Sequence, residues 1–312
     1  MSDHPLFERH PNNPLLTQKD SPVPCKSFCN PAAARVGEDV LLLARAIDDQ
    51  DHSQLVVARS RNGVDGWRIE KTPLLAPANK DDQSNRNEWY DTLGCEDPRM
   101  TYLPERGEYL ITYVGNSPFG AGVCLATTKD FRNSERLGII IPPYDKDAVL
   151  FPRQIGGRYL ILHRPTINGL ENIWLMESDD LLHWGRPVCV MQKGESGWDS
   201  GKIGSGPPPI ETPEGWLLVF HGAEETPQGW VYKVGLALLD RDDPSKLIAR
   251  TKMPVFGPDA PYEVGGVKPG IVFPTGLVQQ GDDISLYYGA DDGGIALATT
   301  SVSRLLQAVK AG

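Results

Sequence analysis

The sequence predicts an all-β fold built as a five-bladed β-propeller. One unit recurs five times along the 312 residues: an apolar stretch headed by a proline, a turn marked by glycine, and two further apolar stretches. Each stretch is short, β-branched or aromatic, and bounded by turn residues, which indicates a strand. Repeats of about four strands are typical of propellers, whose sheets pack radially because none can bury its faces alone. The heading prolines are Pro31, Pro98, Pro152, Pro208 and Pro274.

The second and third stretches of each unit carry the clearest strand signal. The second stretches lie at 40–45, 109–113, 159–164, 216–221 and 284–288, and the third at 55–60, 123–128, 173–178, 234–238 and 295–300. In three units a tail follows, as at 62–67 and 179–184, which indicates a fourth, outer strand. A solenoid of four-stranded units is the alternative topology. Because ring closure leaves few exposed edges, a chain without caps favours the propeller.

Composition is consistent with one turn-rich all-β domain over residues 1–312, with 1–25 expected to lie outside the blades. Apolar residues make up 40% of the chain, and its 32 Gly and 27 Pro are spread among the turns. No run of 18 apolar residues occurs, and the first 20 residues are polar and rich in proline. We therefore expect no transmembrane span, no signal peptide and a cytoplasmic location.

The cysteines and the net charge restrict the ligands. Five cysteines, an odd number without paired metal-ligand spacing, predict reduced thiols and no metal site. A formal charge of −10 argues against a nucleic-acid partner. Several cations nevertheless fall at strand ends near the expected propeller axis. A basic cluster in an acidic protein indicates a small anionic ligand.

The densest group of polar residues is the segment 89–99, where Glu96 and Asp97 precede Pro98 and Arg99. Neighbours in a strand point to opposite faces, so one carboxylate is expected in the central pocket. The other is expected to pair with Arg99 or to cap a turn. An acidic pair before proline is also common in ordinary turns, and this structural alternative stays open.

Equivalent strand ends in the other units carry further candidates. Arg45, Arg164, His221 and Asp292 each end a second stretch, and equivalent positions in a propeller converge at one end of the channel. A charge after so apolar a strand is costly unless it meets a carboxylate or a ligand. His163 should point away from Arg164 and is expected to be structural. Lys202 lies in a glycine- and proline-rich loop that leads into a strand and lacks the spacing of a nucleotide-binding loop.

Ordered motifs along nearly the whole chain resemble glycoside hydrolase family 130, the β-mannoside phosphorylases and β-mannosidases with five-bladed propeller folds. The resemblance runs from about residue 13 to about residue 306. It depends on the motifs at 30–33, 94–99, 151–152, 163–165, 200–204, 220–223 and 287–292. In the last motif, Asp291 replaces the second alanine of the family's Gly-Ala-Ala, which makes Asp292 the aligned carboxylate.

The resemblance implies a role for each matched residue. Asp97 would be the proton donor, with the proton passed through the sugar's 3-hydroxyl. Asn30, Arg45 and Asp292 would hold the mannosyl unit, with Arg99 as a further substrate contact. Tyr90 is a candidate sugar contact on its position alone, in the loop before the acidic motif. Arg164, Lys202 and His221 match the basic set that binds inorganic phosphate in phosphorylases and that hydrolytic members lack. Arg153 is a further candidate anion contact.

The sequence therefore predicts an inverting phosphorylase that cleaves a β-1,4- or β-1,2-linked mannoside, or a mannosyl-glucose or mannosyl-N-acetylglucosamine disaccharide. Phosphate needs no base, only cations that place it opposite the leaving group, and the product would be α-mannose 1-phosphate. No cofactor beyond phosphate is expected. A β-mannosidase of the same fold and a propeller that only binds sugar or protein are the alternatives. Acceptor recognition is assigned to the loops at 79–89 and 259–268, and assembly into a homo-oligomer stays open.

Overall fold

The computed structural model of the protein describes residues 5–78, 90–266, 268 and 270–312. These residues form an all-β structure with two helices. Two short strands come first, β1 (Glu8–Arg9) and β2 (Leu16–Thr17), and five consecutive units follow. In the described part of the chain, no helix has the length and apolar character needed to cross a membrane.

The bounds of the elements are as follows. The first unit contains β3 (Ser27–Val36), β4 (Asp39–Ile47), β5 (Ser53–Ser60) and β6 (Arg68–Ile69). The second contains β7 (Gly94–Leu103), β8 (Glu108–Ser117), β9 (Gly120–Thr128) and β10 (Glu135–Ile141), and the third β11 (Asp145–Leu150), β12 (Tyr159–Pro165), β13 (Ile173–Ser178) and β14 (Gly185–Met191). The fourth contains β15 (Lys202–Ser205), β16 (Ile210–Thr212), β17 (Gly215–Thr226), β18 (Gly229–Leu239) and β19 (Leu247–Arg250). After α1 (Pro261–Val264), the fifth contains β20 (Val272–Gln280), β21 (Asp283–Ala290) and β22 (Gly294–Ser301), which leads into α2 (Val302–Ala311).

Pairing within every unit is antiparallel and joins strands that follow one another in the chain, except that β15 and β16 of the fourth unit both pair with β17. The third, fourth and fifth units each form their own sheet. The first and second units share one sheet because β5 and β7 meet in a parallel bridge at Ser53 and Gly94. All predicted second and third stretches lie within strands, as expected from their β-branched and aromatic content. Two of the heading prolines differ from expectation, since Pro152 follows β11 and Pro208 lies between β15 and β16.

The apolar core consists of five clusters, and each lies between two units. Four clusters join consecutive units along the chain, and one joins the fifth unit to the first. In β4, Leu42 belongs to the cluster shared with the fifth unit, whereas Leu41 and Leu43 belong to the cluster shared with the second. Because both faces of such a strand are buried, its sequence is a continuous apolar run rather than an alternating one.

The N-terminal segment departs from the prediction that residues 1–25 lie outside the repeating units. Strands β1 and β2 both pair antiparallel with β22 and so provide the outer edge of the fifth unit. The physical reason is that β22 would otherwise present unpaired backbone groups at a sheet edge. The two short strands have little apolar periodicity, so the sequence alone did not identify them.

A buried ion pair connects this N-terminal edge to the fifth unit. Arg9 in β1 donates from Nε and Nη2 to the two carboxylate oxygens of Glu263, at 2.9 and 2.8 Å. Tyr288 donates to the same carboxylate at 2.7 Å, and Glu263 is fully buried. Burial acts to raise the pKa of Glu263, but the Arg9 guanidinium, the backbone amides of Asp259 and Ala260 and the Tyr288 hydroxyl together outweigh it and hold that pKa below its ordinary value.

Arg9→Met is expected to lower the free energy of unfolding by about 3 kcal/mol, because it leaves a carboxylate buried without its cation. Since the folded pKa of Glu263 is lowered, the pair's contribution is present above the ordinary glutamate pKa and is lost as the pH falls through the folded value. Urea unfolding at neutral pH and at pH 4 measures both effects. Equal stability of parent and variant at neutral pH would contradict this account of the pair.

Candidate functional site

A cavity of about 650 Å³ lies where the five units meet. Residues from every unit line it, among them seven of the ten that the sequence predicted for the site. These seven are Asn30, Arg45, Asp97, Arg164, Lys202, His221 and Asp292. The expectation that equivalent strand ends converge is therefore correct for Arg45, Arg164, His221 and Asp292.

A repeated backbone distortion directs three side chains to this cavity. In each of the first three units, the first strand carries an extra residue relative to its partner, which forms a β-bulge. At that bulge Asn30, Asp97 and Asp147 have φ of 47°, 44° and 52°, the left-handed region that asparagine and aspartate tolerate best. All three side chains line the cavity. The sequence did not indicate Asp147, because the proline used to mark the third unit, Pro152, follows β11 instead of standing next to the bulge.

Asp97 lies in a network of opposite charge and amide donors. Its Oδ1 accepts from the Asn30 side-chain amide at 2.9 Å and from Arg45 Nη1 at 3.0 Å. Burial acts to raise the pKa of Asp97, but Arg45 and then the Asn30 hydrogen bond outweigh it and hold the pKa below its ordinary value. In the free protein this carboxylate is therefore ionised at neutral pH.

The prediction that Glu96 and Asp97 face opposite sides of the strand is wrong. Both line the cavity, because the bulge at Asp97 interrupts the alternation of the strand. Glu96 lies 3.1 Å from Arg45 and 3.7 Å from Lys146, and it accepts from Asn116 at 3.2 Å. Arg45 thus contacts both acids.

A second cluster of charges forms around Asp147. Arg164 Nε and His221 Nε2 lie 3.2 and 3.4 Å from Asp147 Oδ2, and Arg164 Nη1 lies 3.0 Å from Glu171. Burial acts to lower the pKa of Arg164, but Asp147 and Glu171 raise it above its ordinary value. Burial lowers the pKa of His221 despite Asp147, so its ring is neutral at pH 7. Among the described residues, Arg164 Nε and Nη1 and both ring nitrogens of His221 lack a well-aligned hydrogen-bond acceptor.

Lys202 lies beside this cluster at the start of β15. Its ammonium nitrogen is 4.0 Å from the centre of the Trp230 ring and 5.4 Å from that of Tyr232. Burial lowers its pKa below the ordinary value, and the positive charge of Arg164 lowers it further. Two cations and a neutral imidazole therefore converge on one side of the cavity.

On another wall, Asp292 rather than Asp291 faces the cavity. Lys268 Nζ is 2.8 Å from Asp292 Oδ2, and Ser27 Oγ donates to the Asp292 backbone carbonyl. Asp291 is buried at 1% exposure, and burial raises its pKa above the ordinary value. The alignment that selected Asp292 over its neighbour agrees with this placement.

Three predicted residues do not line the cavity. Arg99 is buried behind it and donates to the backbone carbonyls of Asp97, Ser205 and Gly206, so it holds the acidic strand against the fourth unit. Arg153 donates from two nitrogens to the carboxylate of Glu211, at 2.9 and 2.6 Å, and lies over the ring of Trp216.

Tyr90 packs at the edge of the apolar cluster between the first two units. The loop assigned to acceptor recognition at 79–89 lies outside the described residues. Lys268, the last residue of the other loop assigned to acceptor recognition, lines the cavity. Lys146, Glu171, Trp230 and Tyr232 also line it and were not predicted. These residues lie in turns and near strand ends, outside the sequence pattern that recurs in the five units. Over the described ranges, no cluster of His, Cys, Asp or Glu side chains is arranged to hold a metal ion.

Comparison with known proteins agrees with this arrangement. Residues 5–311 match the model of glycoside hydrolase family 130, described as beta-1,4-mannooligosaccharide phosphorylase. A beta-1,2-mannobiose phosphorylase of Listeria innocua is 38% identical over 81% of this chain and 68% of its own length. A beta-1,4-mannooligosaccharide phosphorylase of Ruminococcus albus is 29% identical over 97% of this chain and 90% of its own.

A solved structure gives the same result. The Listeria innocua beta-1,2-mannobiose phosphorylase, solved with beta-1,2-mannobiose, superposes with a TM-score of 0.87 and 30% identity, covering 98% of this chain and 99% of the other. A family match over nearly the whole sequence and a relative above 30% identity point to the same group. The chain belongs to glycoside hydrolase family 130.

Proposed function

We propose that the protein is an inverting β-mannoside phosphorylase, which transfers a mannosyl unit to inorganic phosphate and releases α-mannose 1-phosphate. The observation that carries this proposal is the group of unsatisfied donors on Arg164 and His221 beside Lys202, in the same cavity as Asp97. By reaction type the enzyme is a glycosyltransferase that uses phosphate as acceptor. The resemblance found in the sequence and the names of the relatives support the assignment.

The cationic side of the cavity suits a phosphate dianion. Arg164 offers a planar fork of donors, Lys202 a compact charge and His221 a neutral ring that can still donate one hydrogen bond. The nearby Asp147 carboxylate holds the pair of Arg164 and His221 in place. Phosphate is already a nucleophile, so these groups need only position it and offset its repulsion from the carboxylates.

The acidic side of the cavity suits the mannosyl unit and its leaving group. In our proposal Asn30, Arg45 and Asp292 bind sugar hydroxyls, and Asp97 supplies the proton that the departing oxygen needs. Arg45 and Asn30 keep Asp97 ionised in the free protein. A bound phosphate dianion would make that charge less favourable, so proton uptake by Asp97 would accompany formation of the complete complex.

The stereochemistry that we propose is inversion. The nucleophile enters from the side of Arg164 and Lys202, and the leaving group departs on the side of Asp97. A single displacement between opposite faces converts a β-mannoside into an α-phosphate. No cofactor other than phosphate takes part in the proposed reaction.

We propose a β-1,2-linked mannoside as the preferred substrate. The relative at 38% identity and the solved structure are both named for beta-1,2-mannobiose, whereas the relative named for a β-1,4 substrate is 29% identical. Part of the cavity lining, including Thr166, Glu171 and Lys268, lies outside the strands, and in our proposal such segments recognise the linkage.

We also propose that the five units are the blades of one propeller. Apolar clusters between each pair of consecutive units, and between the last and the first, are what a closed ring requires. A cytoplasmic site of action is part of the proposal, because a cell benefits from a sugar phosphate product only where it is retained.

The decisive experiment is product analysis of β-1,2- and β-1,4-mannobiose incubated with the protein, with and without inorganic phosphate. We expect α-mannose 1-phosphate to form only when phosphate is present, and faster from the β-1,2 disaccharide. Release of free mannose at equal rates with and without phosphate would show that the protein is a hydrolase and would contradict the proposal. Binding of mannobiose without turnover in either condition would indicate a sugar-binding protein.

A further inference from the structure

Lys202 differs from the other lysines and arginines that line the cavity. Arg45, Lys146, Arg164 and Lys268 each lie within 4.0 Å of a carboxylate oxygen. Among the residues that the structure describes, Lys202 has no carboxylate within that distance. Glu171 and Asp147 act on this partly buried ammonium only at longer range, so it needs another contact to fix its position.

The Trp230 ring provides that contact. Its centre is 4.0 Å from Lys202 Nζ, within the range of a cation–π contact. Trp230 lies near the start of β18, opposite Glu225 of β17, and its ring also lies against Gly201. A β-carbon at Gly201 would overlap the ring, so the missing side chain lets the ring approach the backbone beside Lys202.

An aromatic face and a carboxylate have different consequences for an anion. A carboxylate would neutralise the ammonium and would repel an approaching phosphate at close range. An aromatic ring attracts the ammonium through its quadrupole and leaves the positive charge available on the other side. The ring thus fixes the position of Lys202 without competing for its charge.

We propose that Trp230 is a positioning residue that holds the Lys202 ammonium in place for an inorganic phosphate ion. The inference depends on the proposed phosphorylase function, because it concerns how the same cavity takes its anionic substrate. Phosphate affinity depends on the ring face, and mannoside affinity does not. Tyr232, whose ring lies farther from the ammonium at 5.4 Å, provides the second aromatic wall.

The test compares Trp230→Leu with Trp230→Phe. We expect the leucine variant to raise KM for phosphate about tenfold with KM for the mannoside unchanged, and the phenylalanine variant to restore most of the loss, because it keeps a ring face. Titration calorimetry with inorganic phosphate should give the same ratio without turnover. Trp67→Leu is the matched control, because Trp67 does not line the cavity and packs against the cluster between the fifth and first units. This variant should leave phosphate affinity unchanged.

A double-mutant cycle with Lys202→Met separates this role from general packing. If Trp230 acts through Lys202, Trp230→Leu has little further effect on phosphate affinity in the Lys202→Met background. Equal effects of Trp230→Leu in both backgrounds, or parallel increases in both KM values, would overturn the inference. If the parent enzyme forms α-mannose 1-phosphate and Trp230→Leu has the same KM for phosphate as the parent, the inference about Trp230 is overturned and the proposed phosphorylase function stands. A parent that neither binds nor uses phosphate would overturn the proposed function as well.

Discussion

Asp97→Asn is expected to lower phosphate-dependent cleavage of mannobiose by about a thousandfold, within the range for loss of a general acid. The amide is nearly the same size as the carboxylate and can keep the hydrogen bond with the Asn30 side chain. It has no proton of suitable acidity to give to the leaving oxygen. Steady-state kinetics with saturating phosphate measure the loss.

The leaving group provides a sharper check on the role of Asp97. A nitrophenyl β-mannoside has a leaving group that departs without protonation, so Asp97→Asn should cost far less with this substrate than with mannobiose. Two controls show whether the Asp97→Asn variant still folds and binds its substrate. These are the affinity for mannobiose measured by calorimetry and the melting temperature. An equal loss with both substrates would show that Asp97 does not act as the proton donor.

Lys202→Met is expected to lower kcat/KM for phosphate about a hundredfold, because it removes a charge from the anion site in a partly buried setting. Lys202 makes a cleaner target than Arg164, whose removal would leave the buried Asp147 with Arg99, 3.6 Å away, in place of its nearer cation. KM for the mannoside should change little. In a hydrolase the same substitution should have almost no effect on turnover.

Arg153→Gln is the matched control for the Lys202 variant. The structure pairs this arginine with Glu211, away from the cavity, although the sequence made it a candidate anion contact. Phosphate kinetics of this variant should equal those of the parent. A loss of kcat/KM for phosphate comparable to that of Lys202→Met would show that Arg153 contacts the anion and would contradict its position away from the cavity.

The parts of the site that repeat with the fold were predictable from the sequence. Arg45 and Arg164 each end a strongly apolar stretch. A charged side chain at such a position needs a counter-charge or a ligand, and this identified both residues as candidates. Asn30 and Asp97 precede prolines at equivalent points in two units. Asp147 occupies the same point in the third unit but precedes Ala148, so the proline pattern missed it.

Other features depended on geometry that a linear pattern does not carry. The β-bulge turns both Glu96 and Asp97 toward one cavity, against the expected alternation of a strand. Arg99 lies in the same motif but uses its donors on backbone carbonyls behind the site. The contact of Lys202 with Trp230 joins residues from different strands, and the edge strands β1 and β2 are only two residues each.

At the bulges of the first three units, the same backbone conformation carries side chains of different chemistry. One left-handed residue in each unit delivers a side chain to the same cavity, and the three positions hold an amide, a proposed acid and a carboxylate that orients cations. Asparagine and aspartate both tolerate this conformation better than most other residues, so exchange between them changes charge with little conformational penalty. A single substitution at one of these three positions therefore changes the charge of the cavity while the backbone conformation is kept.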